Sequence, residues 1–305
     1  MYTLMKIVLT GANGFIGSNL CNYLSKKYQV LALSRNSNNL DVNDNLKYFQ
    51  YNLENIEDCE KEILQFDPDV VINCAWIGGN KFDDTCSMIQ FENLQYGIKL
   101  LDIIKKSNTN LFVSLGTAAE YGYYTQQVSE NHIQNPYSLY GQTKKYFYDI
   151  CKNICDLNKI NFSWIIPFHV YGPNDVKTRI IPKVIDLSLK NEDFTLNSCD
   201  TLADYLYIDD FVQGVEQIIQ HNVTGKINLC SGKTYQIKDI VNFIVKNCNF
   251  ESNVYFDSTL DRQNFQKYFC GNNNKIVSMT DWKEKYTLEQ GLINTIERFK
   301  NVTRF

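Results

Sequence analysis

Apolar runs alternate with helical periodicity along the first half of the chain. Runs rich in Val, Ile, Leu and Phe predict buried strands at residues 6–10, 28–34, 46–51, 69–75, 110–115 and 162–166. Between them, apolar residues at helical spacing predict helices at residues 18–27, 57–64, 89–105 and 135–153. This alternation predicts an α/β fold, in which a doubly wound, mostly parallel sheet is covered by helices on both faces.

The first predicted strand runs directly into three glycines, Gly11, Gly14 and Gly17, and the first helix begins among them. Glycines at such a junction permit a sharp turn, let the backbone approach a pyrophosphate and let the helix pack closely on the sheet. The first turn of the helix presents unpaired N–H groups and the positive end of its dipole to the phosphates. The stretch predicts a dinucleotide site of the Rossmann type, and the simplest alternative is an ordinary glycine-rich loop.

The pattern of predicted elements divides the chain into two regions. Residues 1–166 are interpreted as an NAD(P)-binding Rossmann domain. Residues 167–305 are interpreted mainly as a smaller C-terminal α/β substrate-binding lobe, with some segments returning to the Rossmann sheet. The predicted elements of this second region are helices and one strand, at residues 179–190, 225–231, 237–246 and 287–299.

Composition narrows the class of protein. With 305 residues, 44% of them hydrophobic and 21% charged, the chain matches an ordinary globular protein. A net charge of −4 argues against a nucleic-acid partner, and no apolar run approaches the ~20 residues of a membrane span. The 10 cysteines form no CxxC pair and the histidines are few, so we expect no metal site and reduced thiols in a cytoplasmic protein.

The end of the second predicted strand bears on cofactor choice. It reads Ser34-Arg35-Asn36, and the next acidic residue is Asp41. Rossmann units that use NAD usually place an acid here, which bonds the ribose 2′-hydroxyl, whereas an arginine can receive the 2′-phosphate of NADP. We therefore expect NADP(H) to be preferred, with NAD(H) possible. The alternative is that Arg35 is a solvated loop charge.

Tyr140 and Lys144 are four residues apart, so on a helix they share a face. An ammonium near a tyrosine hydroxyl favours the phenolate and lowers the pKa of the hydroxyl. Such a tyrosine can act as a general acid or base near neutral pH. Because the chain has 20 tyrosines, a surface pair with no catalytic role is the alternative.

The ordered motifs resemble those of extended short-chain dehydrogenases/reductases, of the NAD-dependent epimerase/dehydratase family that acts on nucleotide sugars. TGANGFIG (residues 10–17) is similar to the glycine motif of the family, and VINCA (71–75) to its fourth-strand motif. YGQTK (140–144) is similar to its catalytic YxxxK. FHVYGP (168–173) and YLYIDD (205–210) resemble FNVYGP and FVYVDD, so the resemblance covers essentially the whole chain.

The resemblance implies roles for individual residues. Thr117 would bond the substrate oxygen at the reacting carbon, Tyr140 would exchange the proton, and Lys144 would bind the nicotinamide ribose and tune Tyr140. The cofactor-binding set is Gly11, Asn13, Gly14, Phe15, Ile16, Gly17, Ser34, Arg35, Asn52, Leu53, Cys74, Ala75, Asn93, Tyr140, Lys144, Pro167, His169 and Val170. The substrate-binding set is Thr117, Ala118, Ala119, Tyr140, His169, Arg179 and Lys183. A homodimer formed through helices 89–105 and 144–155 is also implied, and the alternative is that the apolar residues of these helices pack within one chain.

Three positions depart from the family pattern. Histidine stands at residue 169 in place of Asn, and Ile166 stands where Arg is usual. Ala203 stands where many relatives have an arginine that grips the diphosphate, which removes a bidentate contact. Either Arg179 or Lys183 then holds the diphosphate, or the substrate differs. His169 is either a packed imidazole or a donor to a sugar hydroxyl or phosphate.

The resemblance also bears on the reaction. Dehydratases of the family carry an acid/base pair directly after the catalytic threonine, where this chain has Ala118 and Ala119, and Glu120 precedes Tyr121 as in several 4-keto-6-deoxy-sugar reductases. With Arg35, this favours NADPH-dependent reduction of the C4 keto group of a nucleotide-linked sugar. The alternatives are an NAD-dependent nucleotide-sugar 4-epimerase and, from another class, a catalytically silent NADP(H)-binding sensor or scaffold.

Overall fold

Fourteen strands are present in the described part of the chain. The computed structural model describes residues 4–41, 43–78, 87–248, 252–261 and 266–302. The strands are β1 (Lys6–Thr10), β2 (Gln29–Ser34), β3 (Leu46–Gln50), β4 (Val70–Asn73), β5 (Leu111–Leu115), β6 (Asn161–Pro167), β7 (His169–Tyr171), β8 (Phe194–Leu196), β9 (Leu202–Ala203), β10 (Tyr205–Tyr207), β11 (Gly225–Leu229), β12 (Tyr235–Gln236), β13 (Val254–Phe256) and β14 (Tyr268–Phe269).

Nine α-helices connect or follow these strands within the described ranges. They are α1 (Phe15–Leu24), α2 (Glu60–Phe66), α3 (Ser87–Ile104), α4 (Leu139–Asn158), α5 (Ile180–Leu189), α6 (Ile208–Gln220), α7 (Ile237–Cys248), α8 (Asn274–Met279) and α9 (Leu288–Val302). Short 3₁₀ helices cover Leu53–Cys59, Ala118–Tyr121 and Ser258–Leu260. None of the helices described is long and apolar enough to cross a membrane.

The predicted doubly wound sheet is confirmed. Its strand order is β11-β6-β5-β4-β1-β2-β3, and every neighbouring pair is parallel. β4 and β5 are buried along their whole length, which explains why they read as continuous apolar runs. The side chains of β1 divide between two cores, with Ile7 and Leu9 on one face of the sheet and Val8 on the other.

Residues beyond 167 contribute to this sheet and to smaller ones. β11 lies beside β6 at the sheet edge, with Asn228 opposite Ile166. The smaller sheets are β10-β7, β12-β9-β14 and β13-β8. The division of the chain at residues 166 and 167 stays a prediction.

Several element boundaries differ from those predicted, and two of the differences have a clear local cause. α4 begins at Leu139 rather than at residue 135, because the Ser138 hydroxyl caps it by accepting a hydrogen bond from the N–H of Gly141 at 3.1 Å. The predicted helix at 57–64 is a 3₁₀ helix followed by α2. Asn55 has non-helical backbone angles inside the 3₁₀ segment, which prevents one continuous α-helix from forming there.

Candidate active site

The glycine loop leaves β1 and leads into α1 with little space around its backbone. Gly11 has a φ of +70°, and a Cβ built there would lie 2.7 Å from the backbone nitrogen of Ala75. A Cβ on Gly17 would lie 2.2 Å from the carbonyl oxygen of Gly11. Gly14 is the N-cap of α1, so the free N–H groups of the helix begin at the loop. The residues present therefore fit a dinucleotide diphosphate in the way the sequence predicts.

A buried polar ladder holds the carboxyl ends of three strands in place beside this loop. The Thr10 hydroxyl donates to Asn73 Oδ1 at 2.7 Å, and Asn73 Nδ2 donates to the Ser114 hydroxyl at 3.3 Å. The next loop is fixed by Asn93, whose side-chain amide exchanges two hydrogen bonds of 2.8 Å with the backbone of Ile77. Asn93, a predicted cofactor residue, thus shapes the wall of the site through its backbone partner.

The second loop at this edge follows β2. The buried Ser34 hydroxyl donates to the carbonyl of Asn36 at 2.6 Å. The loop touches the glycine loop, because Asn39 donates to Asn13 through its backbone N–H at 3.3 Å and its side chain at 3.1 Å. Arg35 is exposed beside this junction and makes no hydrogen bond or ion pair with any described residue. Its guanidinium can therefore meet an external anion.

The other predicted cofactor residues lie at the same carboxyl edge, after β1, β3, β4 and β6. All of them except Val170 keep some exposed surface. They are Phe15, Ile16, Asn52, Leu53, Cys74, Ala75, Pro167, His169 and Val170. Within the described ranges, no group of three or more His, Cys, Asp or Glu side chains is placed to hold a metal ion.

Thr117, Tyr140 and Lys144 come together where β5 meets the first turns of α4. Thr117 directly precedes the 3₁₀ helix Ala118–Tyr121, and its side chain hydrogen-bonds that of Tyr140. Lys144 is buried, with 4% of its surface exposed. Its Nζ donates a hydrogen bond to the carbonyl oxygen of Leu115 at 2.8 Å. The end of β5 and one face of α4 thus bring the Thr117 hydroxyl, the Tyr140 phenol and the Lys144 amine close together.

The expected lowering of the Tyr140 pKa is wrong for this structure. Burial raises the pKa of Tyr140 to about 12, and the hydrogen bond with Thr117 opposes that rise. Lys144 does not offset the rise, since its ammonium points to Leu115 and lies 3.7 Å from the ring centroid of Trp76. Burial lowers the pKa of Lys144 to about 7. At neutral pH, Tyr140 is consequently a neutral phenol.

Glu120 is a site residue whose structural role sequence reasoning missed. Its carboxylate is fully buried and accepts hydrogen bonds from the Thr117 N–H at 2.8 Å, Trp164 Nε1 at 3.1 Å and Gln134 Nε2 at 2.8 Å. Burial raises the pKa of Glu120 to about 7, against these donors. A threonine followed three residues later by glutamate is the signature of a capping box, which could have revealed this role.

The His169 ring packs against a backbone carbonyl and two aromatic rings. Its Nδ1 lies 3.2 Å from the carbonyl oxygen of Asp204, and its ring centroid lies 5.0 Å from that of Tyr205. Burial lowers the pKa of His169 to about 4, so the imidazole is neutral at neutral pH. Its other face meets the ring of Phe269 edge-on at 5.5 Å.

The two predicted phosphate-binding cations differ in their surroundings. Arg179 occupies the N-cap position of α5 without a capping hydrogen bond from its side chain, and its Nη1 lies 3.2 Å from Asp175 Oδ1. The positive charge of Arg179 also acts on Tyr140 and His169, lowering the pKa of each, which places it close to the catalytic edge. Lys183 is exposed on α5, one turn further along.

The fold is of the Rossmann type, and it places the cluster of Thr117, Tyr140 and Lys144 at the same sheet edge as the glycine loop. Residues 7–237 match the family described as NAD dependent epimerase/dehydratase family. The chain belongs to this family, and it is an NAD(P)-dependent enzyme of the oxidoreductase or epimerase type.

Curated relatives and solved structures agree with this assignment over nearly the full chain. The CDP-abequose synthase of Salmonella typhimurium (strain LT2) is 24% identical over 305 residues, covering 96% of this chain and 97% of the relative. The CDP-abequose synthase of Yersinia pseudotuberculosis is 26% identical over 247 residues, covering 79% and 83%. The UDP-glucuronic acid 4-epimerase of Bacillus cereus, solved with UDP-glucuronic acid and NAD, superposes with a TM-score of 0.88 at 25% identity, covering 98% and 100%.

Proposed function

We propose that this protein reduces the C4 keto group of a nucleotide-linked deoxysugar, with NADPH as the reductant. The observation that carries the proposal is the hydrogen-bonded pair of Thr117 and Tyr140 at the carboxyl end of the sheet. Reduction of a ketone takes up one proton at the carbonyl oxygen. Tyr140, a neutral phenol at neutral pH, can donate that proton while Thr117 holds it in place.

In this proposal the residues of the chain bind and orient the cofactor and the sugar, and Tyr140 donates the proton. A dinucleotide bound at the glycine loop supplies the hydride that reaches the keto carbon. The hydroxyls of Thr117 and Tyr140 would both bond the keto oxygen, stabilising the negative charge that develops on it. The O–H bond of Tyr140 breaks as the new O–H bond forms on the sugar, and the phenolate left behind regains its proton from solvent.

Dehydration is disfavoured by the residues that follow Thr117. Ala118 and Ala119 carry no acid or base. The next residue, Glu120, is fully buried, and its carboxylate already accepts hydrogen bonds from three groups of the protein. Removal of water from a sugar needs a second acid/base pair in contact with the substrate, and no described residue next to Thr117 provides one.

Arg35 supports NADPH as the reductant. Its exposed guanidinium lies at the end of β2, next to the loop that contacts Asn13. This is the position from which a Rossmann unit reaches the ribose 2′ substituent, and an arginine there suits a 2′-phosphate. One relative, the dTDP-6-deoxy-L-talose 4-dehydrogenase (NAD(+)) of Aggregatibacter actinomycetemcomitans at 24% identity, supports a redox step at C4 but not the choice of NADPH, which depends on Arg35 alone.

The direct test is an assay with 4-keto-6-deoxy sugars linked to CDP, GDP, dTDP and UDP. We expect purified protein to oxidise NADPH with at least one of them and to release the 4-hydroxy sugar, identified by mass spectrometry and NMR. The Tyr140→Phe variant serves as the control, since it keeps the ring and lacks the proton. Stable NADPH with all four substrates would overturn the proposal.

A 4-epimerase is the second candidate, favoured by the likeness to the NAD-bound UDP-glucuronic acid 4-epimerase. An epimerase returns the hydride to the same sugar, so it needs no added reductant. Protein that purifies with NAD and equilibrates two C4 epimers without NADPH would support this reading. Turnover that stops without added NADPH would support the reductase.

A further inference from the structure

The ammonium of Lys144 is held by groups other than Tyr140. Its Nζ donates to the Leu115 carbonyl at 2.8 Å and lies 3.7 Å from the ring centroid of Trp76, well within the distance for a cation–π interaction. The ring of Trp164 is farther away, with its centroid 5.9 Å from Nζ. Trp76 is therefore the principal aromatic partner of this buried charge.

The indole of Trp76 is itself fixed in orientation by two helices. Its Nε1 donates to Gln90 Oε1 on α3 at 3.0 Å, and Gln90 is 2% exposed. On the other side, its ring packs against Phe147 of α4, with centroids 5.7 Å apart. The edge of the indole also meets the ring of Tyr140, at a centroid distance of 6.3 Å. One residue of the loop after β4 thus touches both Lys144 and Tyr140.

The charges around Lys144 are few. The titratable groups that face it are Glu120 after β5, Cys74 after β4 and Cys151 on α4. Burial raises the pKa of both thiols, that of Cys74 to about 12, so they are neutral at neutral pH. The Glu120 carboxyl has a raised pKa, and it accepts hydrogen bonds from the Thr117 N–H and the Gln134 amide. The Leu115 carbonyl and the indole face are the direct contacts that compensate for the lost hydration of the ammonium, in addition to the charge of Glu120.

We propose that Trp76 is a positioning residue for Lys144, which stabilises the ammonium form in its buried site and aims it along the indole face toward Leu115. The proposal depends on the proposed function only in assigning Lys144 a part in the reaction.

The first experiment measures Lys144 itself and needs no substrate. Protein labelled with [13Cε]lysine is titrated by NMR, and the Lys144 signal is assigned with Lys144→Met. In Trp76→Leu we expect the amine to titrate lower by about half to one and a half pH units, and in Trp76→Phe by less, because its ring has a weaker quadrupole. Trp282→Phe is the control, since it also loses a buried indole donor, one bonded to the Asp210 carbonyl at 3.0 Å.

The second experiment uses whichever nucleotide sugar the protein turns over. If the ammonium form is the active one, the alkaline limb of the kcat/KM profile moves to lower pH in Trp76→Leu and stays in place in Trp282→Phe. An unchanged Lys144 titration in both Trp76 variants would overturn the proposal, as would a rate loss that is equal at every pH. Should Trp76→Leu not fold, Trp76→Phe decides. Absence of turnover would count against the proposed function alone, because the NMR titration is read without substrate.

Discussion

Thr117 and Glu120 cap each other at the carboxyl end of the central sheet. The Thr117 N–H donates to the Glu120 carboxylate at 2.8 Å, and the Thr117 hydroxyl accepts a hydrogen bond from the N–H of Ala119 at 3.3 Å. The Glu120 carboxylate also accepts a hydrogen bond from the indole N–H of Trp164 on β6. The hydroxyl that faces Tyr140 is therefore placed by a buried acid that does not itself line the substrate space.

Replacing Glu120 with Ala should destabilise the protein by about 2 to 4 kcal/mol, because it removes a cap and leaves several buried donors without an acceptor. Guanidinium unfolding near neutral pH measures this change. Glu297→Ala, an exposed position on α9, is the matched control and should change the free energy of unfolding by less than about 0.5 kcal/mol. Equal effects of the two substitutions would contradict the capping role.

The same carboxyl should make stability depend on pH. Folding raises the pKa of Glu120 from 4.5 to about 7, so the protonated form is favoured in the folded state. Its contribution to stability is complete below pH 4.5 and is lost as the pH rises through about 7. We expect the free energy of unfolding to fall less over this range in Glu120→Gln than in the wild type, measured by guanidinium unfolding at a series of pH values. If the free energies of unfolding of Glu120→Gln and the wild type changed with pH in parallel, ionisation of Glu120 would not be the cause of the pH dependence.

Tyr140→Phe should lower kcat by about 10²- to 10⁴-fold, since it deletes the acid and keeps the packing against Trp76. Cofactor affinity should change much less than kcat, because Tyr140 is one of many residues in the predicted cofactor-binding set and the glycine loop is untouched. Steady-state kinetics and NADPH fluorescence titration give the two values. Tyr146→Phe is the matched control on the same helix, where the ring is 58% exposed, and it should retain full activity. Full activity in Tyr140→Phe would leave a silent NADP(H)-binding protein as the better reading.

The sequence pattern was sufficient to predict the sheet and to place Tyr140 and Lys144 on one helix face, because residues four apart on a helix share a face. Thr117 was assigned beside them only through the family resemblance, and the shared carboxyl edge of parallel strands is consistent with that assignment. The direction of the Lys144 amine could not be predicted in this way. It is set by Trp76 in the loop after β4, by the Leu115 carbonyl at the end of β5, and by burial that no local pattern encodes.

A homodimer through α3 and α4 stays a prediction, and exposed apolar side chains on these helices make it testable. Phe91 on α3 is 54% exposed and Tyr146 on α4 is 58% exposed. If these side chains pack across a dimer interface, Phe91→Lys should place a charge inside it and shift the sedimentation coefficient to that of a monomer. Ile133→Lys, at an 84% exposed position outside both helices, is the control. A single unchanged species in both variants would place any interface elsewhere.

Arg35→Ser should weaken NADPH binding by tenfold or more, which corresponds to about 1.4 kcal/mol, and should leave NADH binding nearly unchanged. The reason is that the two cofactors differ only in the 2′-phosphate, and the exposed guanidinium at the end of β2 is free of partners among the described residues. Binding is measured by fluorescence titration of each reduced cofactor at a fixed ionic strength.

Lys26→Ser separates a specific contact from the general effect of losing one positive charge. Lys26 is exposed just beyond α1, and its removal changes net charge by the same amount as the loss of Arg35. A specific phosphate contact predicts that only Arg35→Ser lowers the ratio of NADPH to NADH affinity. If both variants lower NADPH affinity equally, the effect is long-range and should vanish as salt is raised. If the wild type already prefers NADH, Arg35 is a solvated loop charge, and the epimerase becomes the better assignment.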